Sequence, residues 1–252
     1  PMPRDIPVGN GQMLVNFDHH YQLRDFYFPN IGQENHAGGG PCRFGVWANV
    51  PGGGKGKERR RQRLAWTPDA WQIDIGYVPD TLTTDVQMAH EEFKLRMHCS
   101  DTVDFHRNLM VRRIVVINEH NEPRTVRLYH HNDFHMYGTK VGDTAYYDPQ
   151  LRMMVHYRKK RYIMAGFFAD GELRLDEYAT GNSGFGGAEG TWRDAEDGVL
   201  GGNPIAQGAV DSTIGINVDL PPASQDGGRK VLYLVFGCGV DHADRWCPGG
   251  VR

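Results

Sequence analysis

The sequence has few cysteines and no long apolar run, and these absences exclude several classes of protein. Its four cysteines, Cys42, Cys99, Cys238 and Cys247, form no C-x-x-C pair, which excludes a zinc knuckle and a thioredoxin-type redox site. We expect reduced thiols, because a chain of 252 residues can build a core without disulfide staples. No apolar run approaches the roughly 20 residues that cross a bilayer, so no membrane partner is expected.

A strong charge of either sign is also missing. The formal net charge of −3 provides no long-range attraction to nucleic acid or to an anionic membrane surface. The basic stretch PGGGKGKERRRQR at residues 51–63 lacks interleaved aromatic residues, which is typical of a solvated surface loop. The first ten residues lack the basic start and apolar middle of a secretory signal, so we expect a cytoplasmic protein with no nucleic-acid partner.

The sequence does contain a long succession of short segments in which apolar and polar residues alternate. Examples are Trp71–Tyr77, Phe93–Cys99 and Leu109–Asn118, and the segments recur at roughly the 8- to 12-residue spacing of sandwiches and barrels. No long helical stripe interrupts them, and only residues 191–197 favour a helical turn, which Thr191 would cap. The pattern predicts an all-β fold, an antiparallel β-sandwich of many strands with one short helical turn.

Residues 14–36 predict a β-hairpin followed by a polar loop. Strands at residues 13–17 and 22–28 flank a turn of four residues, and Pro29 ends the second strand because it has no N–H to donate. The loop that follows carries amide, carboxylate and imidazole groups. We therefore single out its polar residues as contacts to a substrate or a partner domain: Gln33, Glu34, Asn35 and His36.

Three long stretches carry a resemblance to a known family. They are residues 5–36 (DIPVGNGQMLVNFDHHYQLRDFYFPNIGQENH), residues 133–150 (DFHMYGTKVGDTAYYDPQ) and residues 185–213 (FGGAEGTWRDAEDGVLGGNPIAQGAVDST). All three resemble the N-terminal part of bacterial and archaeal family 15 glycoside hydrolases, the glucoamylase-type glucan α-glucosidases. In that family an antiparallel β-sandwich domain precedes a helical (α/α) barrel, and the barrel carries both catalytic glutamates.

The resemblance implies a division of this chain and a role for it. Residues 1–238 would form the N-terminal β-sandwich domain, residues 239–252 an irregular tail, and the catalytic barrel would be absent from the sequence. The domain would then hold no catalytic residue and no cofactor. Its partner would be the barrel of the same enzyme, an α-glucan is a possible ligand, and an uncovered docking face would favour self-association.

The glycine-rich stretch at residues 183–207 predicts a long loop, and such loops tend to be functional. It carries Glu189, Asp194, Glu196 and Asp197, and glycosidic hydrolysis needs two carboxyl groups. Pairing of these carboxylates with Arg193 is the alternative that we favour. Trp192, Glu189 and Arg193 are the residues of this loop that we expect to contact a barrel or a glucan, since an aromatic face in a loop suits a sugar ring.

A metal site is a weaker candidate. His131, Asp133 and His135 occupy alternate positions, so a strand over residues 124–137 would place all three on one face with ligands suitable for zinc. The alternative that we favour is the ordinary polar face of a half-buried strand, shared with Arg127 and Tyr129. We therefore expect no metal.

Two rival functions remain open at this stage. The first is a free-standing carbohydrate-binding module, which exposed aromatics in a row would favour. A broad apolar face rimmed by Gln33, Glu34, Asn35 and Trp192 would instead favour a docked barrel. The second is a complete small hydrolase that uses Glu189 and Glu196, which requires both carboxyls in a cleft about 5 to 10 Å apart.

Overall fold

A computed structural model describes residues 5–37, 40, 42–50, 62–139, 141–184 and 189–241. These residues form strands and three short 3-10 turns, Met136–Gly138, Asp194–Asp197 and Asp226–Gly228, and the described part of the chain contains no α-helix. The strands are β1 (Asp5–Gly9), β2 (Leu14–Asp18), β3 (Leu23–Tyr27), β4 (Arg43–Asn49), β5 (Gln62–Trp66), β6 (Gln72–Tyr77), β7 (Thr84–His90), β8 (Leu95–Val103), β9 (Leu109–Asn118), β10 (Arg124–Asn132), β11 (Asp143–Asp148), β12 (Met153–Arg158), β13 (Arg161–Ala169), β14 (Glu172–Arg174), β15 (Glu177–Asn182), β16 (Ile205–Gly208), β17 (Val210–Leu220) and β18 (Arg229–Gly239).

The strands form three antiparallel sheets around a shared core. Strands β1, β2 and β3 make a small sheet, and a five-stranded sheet has the order β15-β17-β10-β4-β5. The largest sheet, of ten strands, has the order β16-β11-β12-β13-β18-β9-β8-β7-β6, with β14 paired to β13. One buried apolar cluster takes side chains from all three sheets, among them Phe26, Leu128 and Leu234. The predicted all-β antiparallel sandwich is therefore confirmed.

The alternation of apolar and polar residues in the sequence predicted most of the strands. The opening hairpin is β2 paired with β3, and β9 has the predicted bounds. The short strands β1, β14, β15 and β16 were not predicted. The predicted basic loop at residues 51–63 lies outside the described residues up to residue 61, but its end is wrong, because β5 begins at Gln62 and pairs with β4.

Glycines alternate with aromatic residues across the middle of the five-stranded sheet. Trp66 pairs with Gly45, Gly45 pairs with Tyr129, and Tyr129 pairs with Gly215. A Cβ atom at Gly45 would lie 2.5 Å from Cε3 of Trp66, and one at Gly215 would lie 2.6 Å from Cε1 of Tyr129. Each aromatic ring therefore lies across the backbone of the neighbouring glycine, where a larger residue has no room.

The glycine-rich loop covers the outer face of the same sheet. Ala195 is fully buried there, and the hydroxyl of Tyr129 donates to the carbonyl oxygen of Gly198 over 2.8 Å. Gly198 has a φ of 85°, and a side chain on it would collide with the ring of Trp47. The predicted helical turn is present at Asp194–Asp197, but the predicted cap is wrong, because no side chain caps it and Thr191 Oγ1 bonds Thr213 Oγ1 over 2.9 Å.

A fully buried ion pair between β8 and β9 of the ten-stranded sheet contacts the tip of the opening hairpin. Arg112 Nε donates to Asp101 Oδ1 over 2.6 Å, and both side chains are almost completely inaccessible. Asp101 Oδ2 also accepts the hydroxyls of Tyr21, over 2.5 Å, and of Thr84, over 2.7 Å. The Arg112 guanidinium carbon lies 4.0 Å from the centroid of the Tyr21 ring. Every oxygen of this buried carboxylate thus has a donor, as a charge in a core requires.

Two further expectations concern the thiols and the membrane. Cys42, Cys99 and Cys238 are buried free thiols, and burial raises the pKa of Cys42 and of Cys99 to about 12. Cys247 lies outside the described residues, as does the predicted tail beyond residue 241. Among the described residues, no helix has the length and apolar character needed to cross a membrane.

Candidate functional site

The two loops singled out in the sequence both lead to one end of the sandwich. At this end β10 finishes and β17 begins, with Asn132 opposite Ser212. The opening loop leads to Gly40, where a Cβ atom would collide with Asp133, and the glycine-rich loop reaches Gly190, where a Cβ atom would collide with Asp211. We call the polar side chains enclosed here the end cluster: His131, Asn132, Asp133, His156, Asp211, Ser212 and Thr213.

Hydrogen bonds connect the end cluster across both large sheets. His156 Nε2 on β12 lies 2.7 Å from Ser212 Oγ on β17, and Asn132 Nδ2 donates to the same oxygen over 3.2 Å. The backbone N–H of Thr191 donates to Asp211 Oδ2 over 2.9 Å. Two polar atoms, His156 Nδ1 and Asp211 Oδ1, have no hydrogen-bond partner in the described part of the chain.

Burial controls the protonation of the end cluster. It lowers the pKa of His131 to about 3 and that of His156 to about 4, and it raises the pKa of Asp211 to about 6. At neutral pH both imidazoles are therefore neutral, while the Asp211 carboxyl is ionised. His131 Nε2 lies 3.8 Å from Asp211 Oδ2, too far for a direct hydrogen bond.

Ser212 and His156 are as close as a catalytic nucleophile and its general base, but neither side chain is accessible to a substrate. Both side chains have zero exposed surface, so a substrate cannot reach the hydroxyl in this arrangement. The end cluster joins the two large sheets through Ser212, and it holds the backbone of the glycine-rich loop through Asp211.

The proposed spacing of metal ligands is not realised. Strand β10 ends at Asn132 instead of continuing to residue 137, and a 3-10 turn with Tyr137 at a φ of 59° follows. His135 Nε2 contacts Asp133 Oδ1 over 3.1 Å, while His131 faces Thr213. Among the described residues, no group of three or more His, Cys, Asp or Glu side chains is arranged to hold a metal.

The expected half-buried polar face of β10 is also wrong. Tyr129 is fully buried and His131 is 3% exposed, because the glycine-rich loop folds over this side of the sheet. Of the residues on that face, Arg127 remains half-buried, and it forms an ion pair with Glu177 over 3.2 Å.

In the opening loop, Glu34 is held by an arginine from a distant strand. Arg161 at the start of β13 donates through Nε to Glu34 Oε2 over 2.7 Å and through Nη2 to Oε1 over 2.9 Å. These hydrogen bonds from Arg161 lower the pKa of the Glu34 carboxyl. Gln33 beside it is exposed, so the loop presents an amide and a fixed carboxylate at the end of β13.

Asn35 and His36 are engaged within the protein. Asn35 Oδ1 accepts the backbone N–H of Phe26 over 3.0 Å, and its Nδ2 donates to Asp25 over 2.7 Å. His36 is fully buried, and its Nδ1 accepts the backbone N–H of Tyr137 over 3.1 Å. Its Nε2 therefore carries the proton and donates to the carbonyl oxygen of Phe28 over 2.6 Å. Burial lowers the pKa of His36, which keeps it neutral.

The residues singled out in the glycine-rich loop form one exposed ionic group. Arg193 pairs through Nε with Glu189 Oε2 over 2.5 Å and through Nη1 with Glu196 Oε1 over 3.1 Å. The two carboxylate side chains are 61% and 50% exposed. The indole of Trp192 is half-buried, with the guanidinium carbons of Arg43 and Arg193 at 4.4 and 4.5 Å from its ring. The loop therefore places these carboxylates on an open surface.

The outer face of the ten-stranded sheet has an apolar half that the sequence analysis missed. Its centre is a cluster of Met153, Val155, Met164 and Val235. Half-buried aromatic residues from neighbouring strands surround this cluster. Tyr157 stacks on Tyr162 at a centroid distance of 5.4 Å, and Tyr146 contacts Tyr157 at 5.9 Å. The alternation of outward apolar residues along β11, β12 and β13 was the available signal, but core strands show the same alternation.

The other half of this face is polar and concave. A depression of about 490 Å³ lies over β6, β7, β8 and β9. Its outward side chains are Gln72, Asp74, Gln87, Ala89, Arg96, His98 and Ile117.

Comparison with known proteins shows the fold of this chain. No protein-family model matches the chain, and no curated protein matches it in sequence. Among solved structures, it is similar to a bacterial glucoamylase complexed with acarbose, with a TM-score of 0.65 and 13% sequence identity. That match covers 93% of this chain and 31% of the glucoamylase chain, so this chain spans about a third of that enzyme.

Two further solved structures are similar over almost their whole length. The Slr1438 protein from Synechocystis sp. PCC 6803 has a TM-score of 0.54 at 9% identity, covering 96% of this chain and 97% of that one. A GalM/aldose epimerase homologue from C. elegans has a TM-score of 0.50 at 9% identity, covering 94% of this chain and 99% of that one. At such identities the likenesses establish the fold alone: the chain has an all-β sandwich of the kind found in a bacterial glucoamylase and in an aldose epimerase homologue.

Proposed function

We propose that this chain is the N-terminal, non-catalytic β-sandwich domain of a family 15 glucoamylase-like glycoside hydrolase. The observation that supports this most is the match of 93% of the chain to 31% of a bacterial glucoamylase. The three sequence stretches that resemble the family support it independently. In the full enzyme, two barrel glutamates would hydrolyse terminal α-glucosidic bonds with inversion, one as acid and the other activating water.

The apolar half of the outer sheet face is the surface that we assign to the barrel in this proposal. Its accessible part is the row of half-buried tyrosines around the buried cluster, Tyr146, Tyr157 and Tyr162, and aromatic residues are enriched at interface centres. Arg161, which holds Glu34, immediately precedes Tyr162 on β13. Consecutive strand residues point to opposite faces, so the opening loop lies beyond the end of β13, beside this face, where we propose that it shapes the entrance of an active site on a docked barrel. Trp192 belongs to the outer face of the other sheet and is not part of this rim.

A free-standing carbohydrate-binding module is the second candidate. The similar structures from Synechocystis and C. elegans favour it, because 97% and 99% of those chains are matched, so they contain this fold without a large further domain. The row of Tyr146, Tyr157 and Tyr162 supports it as well, since aromatic rings stack on sugar rings.

The proposal predicts that the purified chain releases no glucose from maltose or maltoheptaose. General acid and base catalysis supplies roughly 10² to 10⁴ each only when the two groups are positioned around the substrate. Glu189 and Glu196 are instead exposed and share Arg193. The assay follows glucose release over many hours beside Glu189→Gln and Glu196→Gln variants. Turnover by the parent that either variant abolishes would show that the domain carries its own chemistry.

A further inference from the structure

The concave polar half of the ten-stranded sheet is built from two rungs of side chains that cross four strands. One rung places Gln72 beside Ala89, Ala89 beside Arg96, and Arg96 beside Ile117. The next places Asp74 beside Gln87, Gln87 beside His98, and His98 beside Val115. Neighbouring strands lie about 4.8 Å apart, so each rung presents a regular series of groups.

A small residue makes this part of the face concave. Ala89 stands between the longer side chains of Gln72 and Arg96. The result is the depression of about 490 Å³, a volume within the range of ligand sites. Ala89 and Ile117 supply apolar surface within it.

Two of the ionisable groups around the depression already have a carboxylate partner. Arg96 Nε lies 2.6 Å from Glu119 Oε1, and His98 Nε2 lies 2.6 Å from Asp85 Oδ1. The two amides and one carboxylate that remain, those of Gln72, Gln87 and Asp74, are exposed and make no hydrogen bond to any residue that the structure describes. These groups supply both donors and acceptors. Two arginines border the depression: Arg229 lies opposite Ile117, and Arg113 lies on the next rung.

We infer that this depression binds a neutral polyhydroxylated ligand, a short oligosaccharide. Each sugar hydroxyl is both donor and acceptor, so it matches side-chain amides and a carboxylate, while the C–H face of the ring suits Ala89 and Ile117. Within the depression a phosphate would meet the carboxylate of Asp74 and an arginine already paired with Glu119, whereas Arg113 and Arg229 at the border would attract it. The titration with phosphate therefore tests the choice of a neutral ligand directly.

The neighbouring rung extends the site toward aromatic residues. Ser100 pairs with Arg113, Arg113 with Tyr233, and Tyr233 with Phe168. The rings of Tyr233 and Phe168 lie 6.3 Å apart, and Phe168 is 36% exposed. A saccharide of several units could therefore hydrogen-bond in the depression and stack on this pair. The inference does not rest on the proposed function, because it uses only residues of this face.

The test is a titration of the chain with maltohexaose, cellohexaose and inorganic phosphate, followed by the NMR signals of the residues in the depression. We expect one of the two oligosaccharides to bind with a dissociation constant of about 1 mM or tighter. Two variants act differently on the site: Ala89→Trp fills it, and Gln87→Ala removes an amide. Each should weaken binding about tenfold or more. The matched control is Gln207→Ala, which removes an exposed glutamine on β16 at the opposite edge of the same sheet and should leave binding unchanged.

Three results would overturn the inference: no binding of either oligosaccharide, binding that Ala89→Trp leaves unchanged, or tighter binding of phosphate than of sugar. Circular dichroism and the NMR spectrum of each variant establish that it is folded. A chain that binds no sugar in this depression would still be compatible with the proposed β-sandwich domain of a hydrolase. Conversely, sugar binding by a chain that pairs with no barrel would support the free-standing module.

Discussion

Replacing Asp101 by alanine is expected to lower the free energy of unfolding by about 3–5 kcal/mol. The change would leave the fully buried guanidinium of Arg112 without its carboxylate, and an unpaired buried charge is far costlier than a lost hydrogen bond. It would also leave the hydroxyls of Tyr21 and Thr84 without their acceptor. Equilibrium denaturation in urea measures the effect.

Two controls show whether burial is the cause. Asp170→Ala removes the partner of Lys230, 2.7 Å away on the exposed surface, and should cost less than about 1 kcal/mol. The double variant Asp101→Leu, Arg112→Met removes both buried charges and should be more stable than Asp101→Ala. A loss below about 1 kcal/mol for Asp101→Ala would mean that Arg112 finds water or another partner.

The second large effect is a loss of stability in acid caused by the end cluster. Burial lowers the pKa of His131 to about 3 and that of His156 to about 4, from an ordinary value near 6.5. Between these values and 6.5 the unfolded chain binds protons that the folded chain excludes. The contribution of each neutral imidazole to the free energy of unfolding is therefore fully present above pH 6.5. It falls by about 1.4 kcal/mol per pH unit as the pH drops below that value.

The carboxyl groups with raised pKa act in the opposite direction. Burial raises the pKa of Asp143 and of Asp211 to about 6, so the folded chain keeps protons that the unfolded chain releases between pH 3.8 and 6. These two groups favour folding as the pH falls. Comparing the unfolding free energies of the parent and of a variant that lacks one titrating group isolates the contribution of that group.

The measurement compares the unfolding free energies of the parent and of His156→Gln at several pH values from 7 to 4. The advantage of the parent should shrink by about 1.4 kcal/mol for each pH unit below 6.5. His106→Gln is the matched control, because His106 is exposed between β8 and β9 and its imidazole forms no ion pair with any residue that the structure describes. A difference between parent and His156→Gln that does not depend on pH would show that His156 takes up a proton in the folded protein as readily as in the unfolded chain, which contradicts the lowered pKa.

Strand patterns were predictable because they are local, whereas the end cluster was not. The alternation in residues 109–118 and the turn before Gln22 lie within one segment each, and both were found. The contacts of Ser212 with Asn132 and His156 join residues 80 and 56 positions apart. The burial of Tyr129 and His131 likewise depends on a loop that starts some fifty residues later in the chain. No periodicity in β10 carries that information.

The contacts of the candidate site residues were likewise predictable only where the partners are close in sequence. The pairing of Glu189 and Glu196 with Arg193 was predictable, since all three lie within one loop turn. The partner of Glu34, in contrast, is Arg161, which follows 127 positions later. The polar depression was missed because exposed alternate residues on β6, β7 and β8 are also what an ordinary solvated sheet shows.

The central claim, that this chain is the β-sandwich domain of a larger glycoside hydrolase, is tested most directly on the native transcript. The measurement is its sequence downstream of codon 252, translated in all three frames. The account predicts a long helical segment with the pattern of an (α/α) barrel, including its two catalytic glutamates. A transcript that encodes no such segment in any frame would contradict the account and favour a free-standing carbohydrate-binding protein.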